Sequence, residues 1–327
     1  MIIGLVTNWN EHCAVAEYAK ALAKNVTAVA KDVHYKVIME PIIYESVEAR
    51  VQDVDIIHFN YCAHAYSGMD PKAWHTFKGK GKPVLMTFHE SSDWWTRKLA
   101  ERGIADILIV HDKLHDGMPV PKNVRHIPFG VPNVDLAGIS LKWDVGTFGC
   151  AFPWKGLLPL AYVCGKLNLE LYMLLSEPSS DDCKVGWDIL QKEILNLCPS
   201  VRIEIGWQDE ESIVRKLAAC KVLSFPFDER APITGISASV RYGLAAQRPL
   251  VLTDFAHFSD LWDSTDVYWV RGNLAAMIDV ALKNVDTVFE RVPLEMAERM
   301  SWKNSARKYA ELYREVYVGK GVAAGQS

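Results

Sequence analysis

The sequence predicts an α/β chain made of two doubly wound parallel-sheet domains. Three features carry that expectation. Short β-rich runs alternate with helical patterns along the chain. Most of the runs are unbroken apolar stretches, the mark of strands buried on both faces of a parallel sheet. The alternation stops once, at PFGVPNVDLAGISL (128–141), where two prolines and two glycines read as a linker, and then resumes.

In the first half, strands are expected at 2–7, 33–38, 56–59, 83–88, 107–110 and 124–127. Between the first two, 14–24 reads as a helix with Val15, Tyr18, Ala19 and Leu22 on one face. In the second half, strands are expected at 145–148, 170–175, 202–205, 221–225 and 250–252. Asp209 caps an expected helix at 210–219, with Ile213 and Leu217 on its apolar face. A further helix is expected at 237–246. The tail carries an amphipathic helix at 304–316, with Ala306, Tyr309, Leu312, Tyr313 and Val316 on one side. In open sheets of this kind ligands sit beyond the carboxyl ends of the strands. The cleft between two such domains is therefore the expected site.

Length and composition bound the function. The chain has 327 residues, 50% of them hydrophobic, which suits two cores better than one. The net charge is −4 and the basic residues are scattered, which argues against a nucleic-acid partner. The seven cysteines include no CxxC pair, so neither a disulfide framework nor a zinc site is expected. The start, MIIGLV, has no secretory leader pattern, and no apolar run reaches the ~18 residues of a membrane span. A soluble, cytoplasmic protein is expected. The 11 tryptophans suit core packing and stacking on sugars or bases alike.

Several segments, in order, resemble one family. NWNEHCAVAEYAKAL (8–22) is similar to its first strand, loop and helix. VRHIPFGVP (124–132) is similar to the segment before its linker, and VGTFGCAFPWKGLLPL (145–160) to the start of its nucleotide domain. ACKVLSFPF (219–227) and TGISASVRYGLAAQRPLVLTDFAHFSDL (234–261) resemble its donor-binding core, and SWKNSARKYAELY (301–313) its closing helix. The family is the GT-B fold glycosyltransferases, specifically the retaining glycosyltransferase family 4 (glycosyl transferases group 1). The resemblance implies two Rossmann-like doubly wound parallel-sheet domains facing across a cleft. An acceptor domain would span 1–137, joined by a C-terminal helix at 304–320, and a donor domain 142–303. It implies transfer of a hexose from a nucleotide-diphosphate sugar, UDP- or GDP-linked, to an acceptor hydroxyl, with retention and without a metal or other cofactor.

The resemblance also places residues. The donor diphosphate would lie at the start of the helix expected at 237–246. There Gly235, Ile236 and Ser237 offer N–H groups at the positive end of a helix dipole, and Thr234, Ser237 and Ser239 offer hydroxyls. Lys155 matches a lysine that faces the diphosphate, where it would neutralise charge on the leaving group. Arg230 or Arg241 would supply a second cation. The family commonly carries two glutamates, one near the transferred sugar and one on the ribose. Thr234 and Tyr242 stand at those positions here. His89, after the strand at 83–88, matches a histidine aimed at the sugar. Asn10, Glu11 and His12 in the first loop, Tyr61 and His64, and Asp93 and Trp94 are candidates for the acceptor side, Glu11 or His12 being a base in an inverting reaction. The DxD at Asp53 and Asp55 precedes its strand, the wrong end for a metal ligand. Three alternatives stay open. They are another enzyme on this fold, such as an epimerase or hydrolase, a non-catalytic nucleotide or sugar binder, and a phage-type glycosyltransferase acting on modified DNA.

Overall fold

The computed structural model describes residues 1–39, 50–61, 81–90, 92–176, 186–230, 235–262, 267–285 and 292–324. The chain divides into two compact units. The first takes in residues 1–130 and the C-terminal segment from Trp302, together with Gly235 and Ile236, and the second the rest of 131–301.

The first unit holds strands β1 (Ile2–Thr7), β2 (His34–Met39), β3 (Ile56–Tyr61), β4 (Val84–Phe88), β5 (Ile107–Val110) and β6 (Val124–His126). They form one parallel sheet in the order β2-β1-β3-β4-β5-β6. Every residue of β4 is buried, as its unbroken run VLMTF requires of a strand covered on both faces. Helix α1 (Ala14–Val29) runs five residues beyond the expected end, since LAKNVTAV keeps the apolar face going to Val26. Helix α2 (Asp93–Glu101) starts at Ser92, whose hydroxyl accepts the Trp95 N–H. Asp55 accepts the Ile2 N–H at 2.7 Å and Asp53 pairs with Lys36 at 2.5 Å, so both acids brace the start of the sheet.

The second unit repeats the plan. Its strands are β7 (Trp143–Cys150), β8 (Leu171–Ser176), β9 (Arg202–Ile205), β10 (Cys220–Phe225), β11 (Leu250–Thr253) and β12 (Val267–Val270). They form a parallel sheet in the order β12-β11-β10-β7-β8-β9. Its helices are α3 (Leu157–Lys166), α4 (Trp187–Leu197), α5 (Glu210–Ala218), α6 (Ala238–Ala245), α7 (Leu274–Lys283) and α8 (Val292–Arg299). β12, α2, α3, α4, α7 and α8 had no counterpart among the expected elements. The run VYWV is too short to mark a strand by period alone.

Helix α9 (Trp302–Ala324) closes the first unit and packs on α1. Trp302 is buried against Tyr18, with ring centroids 5.0 Å apart, and the Ser305 hydroxyl donates to the Pro128 carbonyl at 2.8 Å. Beneath lies an uncharged polar chain. Tyr18 Oη is 2.8 Å from Tyr309 Oη, Tyr309 Oη 3.0 Å from Thr87 Oγ1, and Thr87 Oγ1 2.8 Å from His58 Nε2. His58 Nδ1 is 2.7 Å from Tyr313 Oη, which accepts from Tyr35 at 3.0 Å. Burial, with His111 adding to it, drives the His58 pKa down to about 3, so the ring is neutral.

Among the described residues no helix is long and apolar enough to cross a membrane. In the second unit Arg241 and Asp260 form an ion pair whose side chains are only 1% and 5% exposed. A buried charge that loses its partner is costly. Asp260→Ala is therefore expected to lower stability by about 3–5 kcal/mol. The double variant Arg241→Met/Asp260→Leu should recover most of that. Urea unfolding of the three proteins, followed by tryptophan fluorescence, checks both expectations.

Candidate active site

In an open parallel sheet, the crevice for a ligand opens where neighbouring strands send their connections to opposite faces. In the second unit that point lies between β7 and β10, because the chain proceeds from β7 to β8 on one side and later to β10 on the other. The segments that leave these two strands are 151–156 and 226–230. They are tied together. The Asp228 N–H donates to the Trp154 carbonyl at 3.0 Å, and the Thr253 hydroxyl holds the Phe227 carbonyl at 2.7 Å. Gly156 has φ +68°, and a β-carbon there would fall 1.9 Å from the Pro226 carbonyl oxygen. Only glycine lets the turn after Lys155 pack against β10 in this way.

Two polar groups converge beside Gly149 at the end of β7. A β-carbon on Gly149 would stand 2.6 Å from Ser239 Oγ and 3.8 Å from Lys155 Nζ. Lys155 Nζ lies 3.8 Å over the Phe227 ring, and no carboxylate pairs with it among the described residues. Burial pushes its pKa down to about 8, against a weak opposite pull from Cys150. Ser239 belongs to the first turn of α6, and Ser237 stands just before it. The Ser237 hydroxyl is buried, caps nothing and has no hydrogen-bond partner among the described residues. Such a buried donor at a helix start, where backbone N–H groups lack helical acceptors, is suited to an anion. One expectation is corrected here. The Ser237 N–H is not open, because it donates to the His257 carbonyl at 3.2 Å. The helix-start amides without helical acceptors begin one residue later, at Ala238.

The other donor-side candidates fall as follows. Thr234 lies outside the described residues. Gly235 has φ +85°, and a β-carbon there would stand 2.4 Å from the His89 carbonyl oxygen, within the first unit. Ile236 adjoins it. The Tyr242 ring is half-buried edge-on against Phe148, centroids 5.2 Å apart. Arg230 is engaged by the Asp228 carboxylate and the Pro153 carbonyl. Arg241 is committed to Asp260, as described above.

In the first unit the order reverses between β1 and β3, and the first-loop candidates lie beyond the end of β1. Asn10, Glu11 and His12 are exposed, and Glu11 accepts from Asn8 Nδ2 at 3.1 Å. His89 follows β4. Its Nε2 lies 2.6 Å from Asn60 Oδ1, and its ring packs edge-on against Tyr18 at 4.7 Å. Burial first, then His111 and His58, hold its pKa well below the usual histidine value, so the ring is neutral. Tyr61 packs against Phe88, centroids 5.8 Å apart. Asp93 accepts the His115 N–H at 2.9 Å. Trp94 is 57% exposed, with Lys98 Nζ 3.8 Å over its ring. His64 lies outside the described residues. Asn60 escaped the sequence reading, although a polar residue inside the apolar run IIHFNY was the signal that could have found it.

No protein-family model matches the sequence, and no curated protein sequence matches it. Solved structures do. HepE of Anabaena in complex with UDP-glucose aligns at a TM-score of 0.71 and 13% identity, covering 96% of this chain and 100% of its own. AviGT4, a glycosyltransferase involved in avilamycin A biosynthesis, aligns at 0.63 and 14%, covering 98% of each. An α-glucosyltransferase in complex with UDP-glucose and DNA containing an abasic site aligns at 0.61 and 12%, covering 96% of this chain and 98% of its own. The chain has the GT-B fold. Within the GT-B fold its Rossmann-like second unit presents Lys155 and Ser239 at the strand crossover, with Ser237 just before α6.

The low pKa of Lys155 gives this site a pH dependence. The ammonium form is the one that attracts an anion, and it is lost as pH rises through about 8 in the free protein. Inorganic pyrophosphate, measured by calorimetry, is expected to bind well at pH 7 and progressively more weakly above pH 8. Lys155→Ala should bind weakly at every pH and show no such decline.

Proposed function

We propose that this chain is a glycosyltransferase that moves a hexosyl group from a nucleoside-diphosphate sugar to an acceptor hydroxyl. One observation carries the reading. Lys155 Nζ and Ser239 Oγ meet beside Gly149 at the end of β7, and the buried, unpartnered Ser237 Oγ stands just before the same helix α6. A lysine and two hydroxyls at a helix N-terminus form a site for a diphosphate, and that site needs no carboxylate. The donor complexes with UDP-glucose on the same fold support the choice of a nucleotide sugar, and a UDP-sugar in particular.

The step balances as follows. The bond between the anomeric carbon and the diphosphate oxygen breaks, and a bond from the acceptor oxygen to that carbon forms. The diphosphate leaves with the bonding electron pair. The acceptor hydroxyl proton passes to the departing diphosphate when attack occurs on the same face. This is the retaining course, which we favour. Lys155 stabilises the charge that builds on the leaving group, and its position in a desolvated niche strengthens that effect. We propose that these groups do this without a metal ion. Among the described residues no cluster of three or more His, Cys, Asp or Glu side chains could hold one. The exposed first loop, with Asn10, Glu11 and His12, together with Asp93 and Trp94, offers groups for the acceptor.

Thermal unfolding with UDP-, GDP-, dTDP- and ADP-glucose tests the reading. A ligand at a hundredfold over its Kd adds about 2.7 kcal/mol, which moves the midpoint by several degrees. A shift with UDP-glucose is expected in the wild type. It should shrink in Ser237→Ala and vanish in Lys155→Ala. A wild-type protein that no nucleotide sugar shifts would sink the proposal.

A further inference from the structure

Four large apolar side chains stand in solvent at one place on the first unit. Trp94 and Trp95 open α2, and the segment after β5 carries Met118 and Val120. They are 57%, 42%, 55% and 59% exposed, in that order. Both segments leave the carboxyl edge of the same sheet, α2 after β4 and the other after β5. A single exposed apolar residue is ordinary on a protein surface, whereas a cluster of them marks a face that something covers.

Polar bonds hold the cluster together. Arg97 lies one turn along α2 from Trp94, on the same side of the helix. Its guanidinium takes the Asp116 carboxylate in a bidentate pair. It also donates to the Met118 carbonyl at 3.0 Å and to the Pro119 carbonyl at 2.8 Å. At the start of the helix Asp93 accepts the His115 N–H at 2.9 Å. Met118 and Val120 are thereby fixed beside the two tryptophans, whose ring centroids are 4.8 Å apart.

The charges around this face are sorted. Asp116 is taken by Arg97, and Asp112 accepts the Lys113 N–H at 2.7 Å. Glu101, which also acts on Arg97, stands at the far end of α2. Lys98, Lys113 and Lys122 have no carboxylate partner among the described residues. A glycan fits the face poorly. Lys98 Nζ lies 3.8 Å over the Trp94 ring, Trp95 stands edge-on to it, and the Met118 and Val120 side chains offer no hydrogen bond to a sugar. A lipid surface fits it well. Tryptophan, with an apolar body and one N–H, suits the boundary between headgroups and acyl chains, and lysines beside it reach back to the phosphates.

We infer that this face docks on an anionic lipid bilayer. Trp94, Trp95, Met118 and Val120 enter the headgroup region, and Lys98, Lys113 and Lys122 meet lipid phosphates. The contact lies on the membrane rather than through it. Such docking needs nothing of the donor site in the second unit.

Co-sedimentation with vesicles tests the docking. The wild type is expected to pellet with vesicles of equal phosphatidylcholine and phosphatidylglycerol. It should bind phosphatidylcholine alone on the order of a hundredfold more weakly, about fivefold for each of the three lysines. Salt at about 1 M, where the screening length is about 3 Å, should remove most of that difference. Met118→Ser/Val120→Ser should weaken binding to both kinds of vesicle by about tenfold or more, with the thermal midpoint unchanged because both side chains are exposed. Arg97→Met/Asp116→Asn keeps the net charge, the four apolar side chains and the three lysines but frees the segment, and should weaken binding severalfold. A wild type that binds neither vesicle would overturn the inference, and so would binding that Met118→Ser/Val120→Ser retains in full. Self-association in the ultracentrifuge without vesicle binding, abolished by the same variant, would make the face a contact between copies of the chain instead.

Discussion

Parallel strands buried on both faces leave few places for polar chemistry. Their side chains must be apolar along most of their length, because a buried polar group without a partner is expensive. In this chain β1, β4 and β8 show hardly an exposed side chain, and exposure is concentrated in edge strands such as β9. The reactive groups are therefore displaced to the carboxyl ends of the strands. Thr7 and Asn8 end β1, Asn60 and Tyr61 end β3, His89 follows β4, Gly149 and Cys150 end β7, and Phe227 follows β10. The strand order then decides which of these ends open into a crevice. The grouping of Lys155 with Ser239 at the end of β7 and the pairing of Asn60 with His89 at β3 and β4 follow from that single constraint.

The polar residues that do enter the first unit are handled in two ways. The chain from Tyr18 through Tyr309, Thr87 and His58 to Tyr313 and Tyr35 satisfies itself without placing a charge in the core. Two of its tyrosines belong to α9, so the chain fixes how the C-terminal helix lies on the sheet. At its upper end Tyr18 touches both Trp302 and His89. The packing that seats the last helix is thus continuous with the packing that aims the histidine.

Much of this fold was legible in the residues. The unbroken apolar runs predict eleven of the strands closely, and Asp209 marks the start of α5 as a cap should. What escaped has physical causes. VYWV in β12 is four residues long, too short for a period to register. The helices α3 and α4 begin at glycines rather than at capping side chains, so no start signal precedes them. In the site, Lys155 and the α6 start were readable because chain-neighbouring residues build them. The pairing of Asn60 with His89 was not, since it joins positions 29 apart that only the register of β3 on β4 brings together. The engagement of the Ser237 N–H by His257 depends likewise on a turn whose path the sequence does not state.

The two glutamates that the resemblance implies are replaced by Thr234 and Tyr242 in this chain, and the groups around Lys155 are of a kind that does not call for a carboxylate. A carboxylate near a diphosphate is repelled by it, so such a group earns its place through the sugar or the ribose rather than through the phosphates. The polar groups at the end of β7 and the start of α6 are all cationic or neutral donors: Lys155, Ser237, Ser239 and the first amides of α6. In the second unit a carboxylate set among these groups would lie in the niche where burial already lowers the Lys155 pKa to about 8. It would pair with the ammonium and hold the proton on it, but it would also compete with any anion for that charge. Neutral hydroxyls and amides leave the lysine charge available to a ligand, which is the physical advantage of a niche without acids.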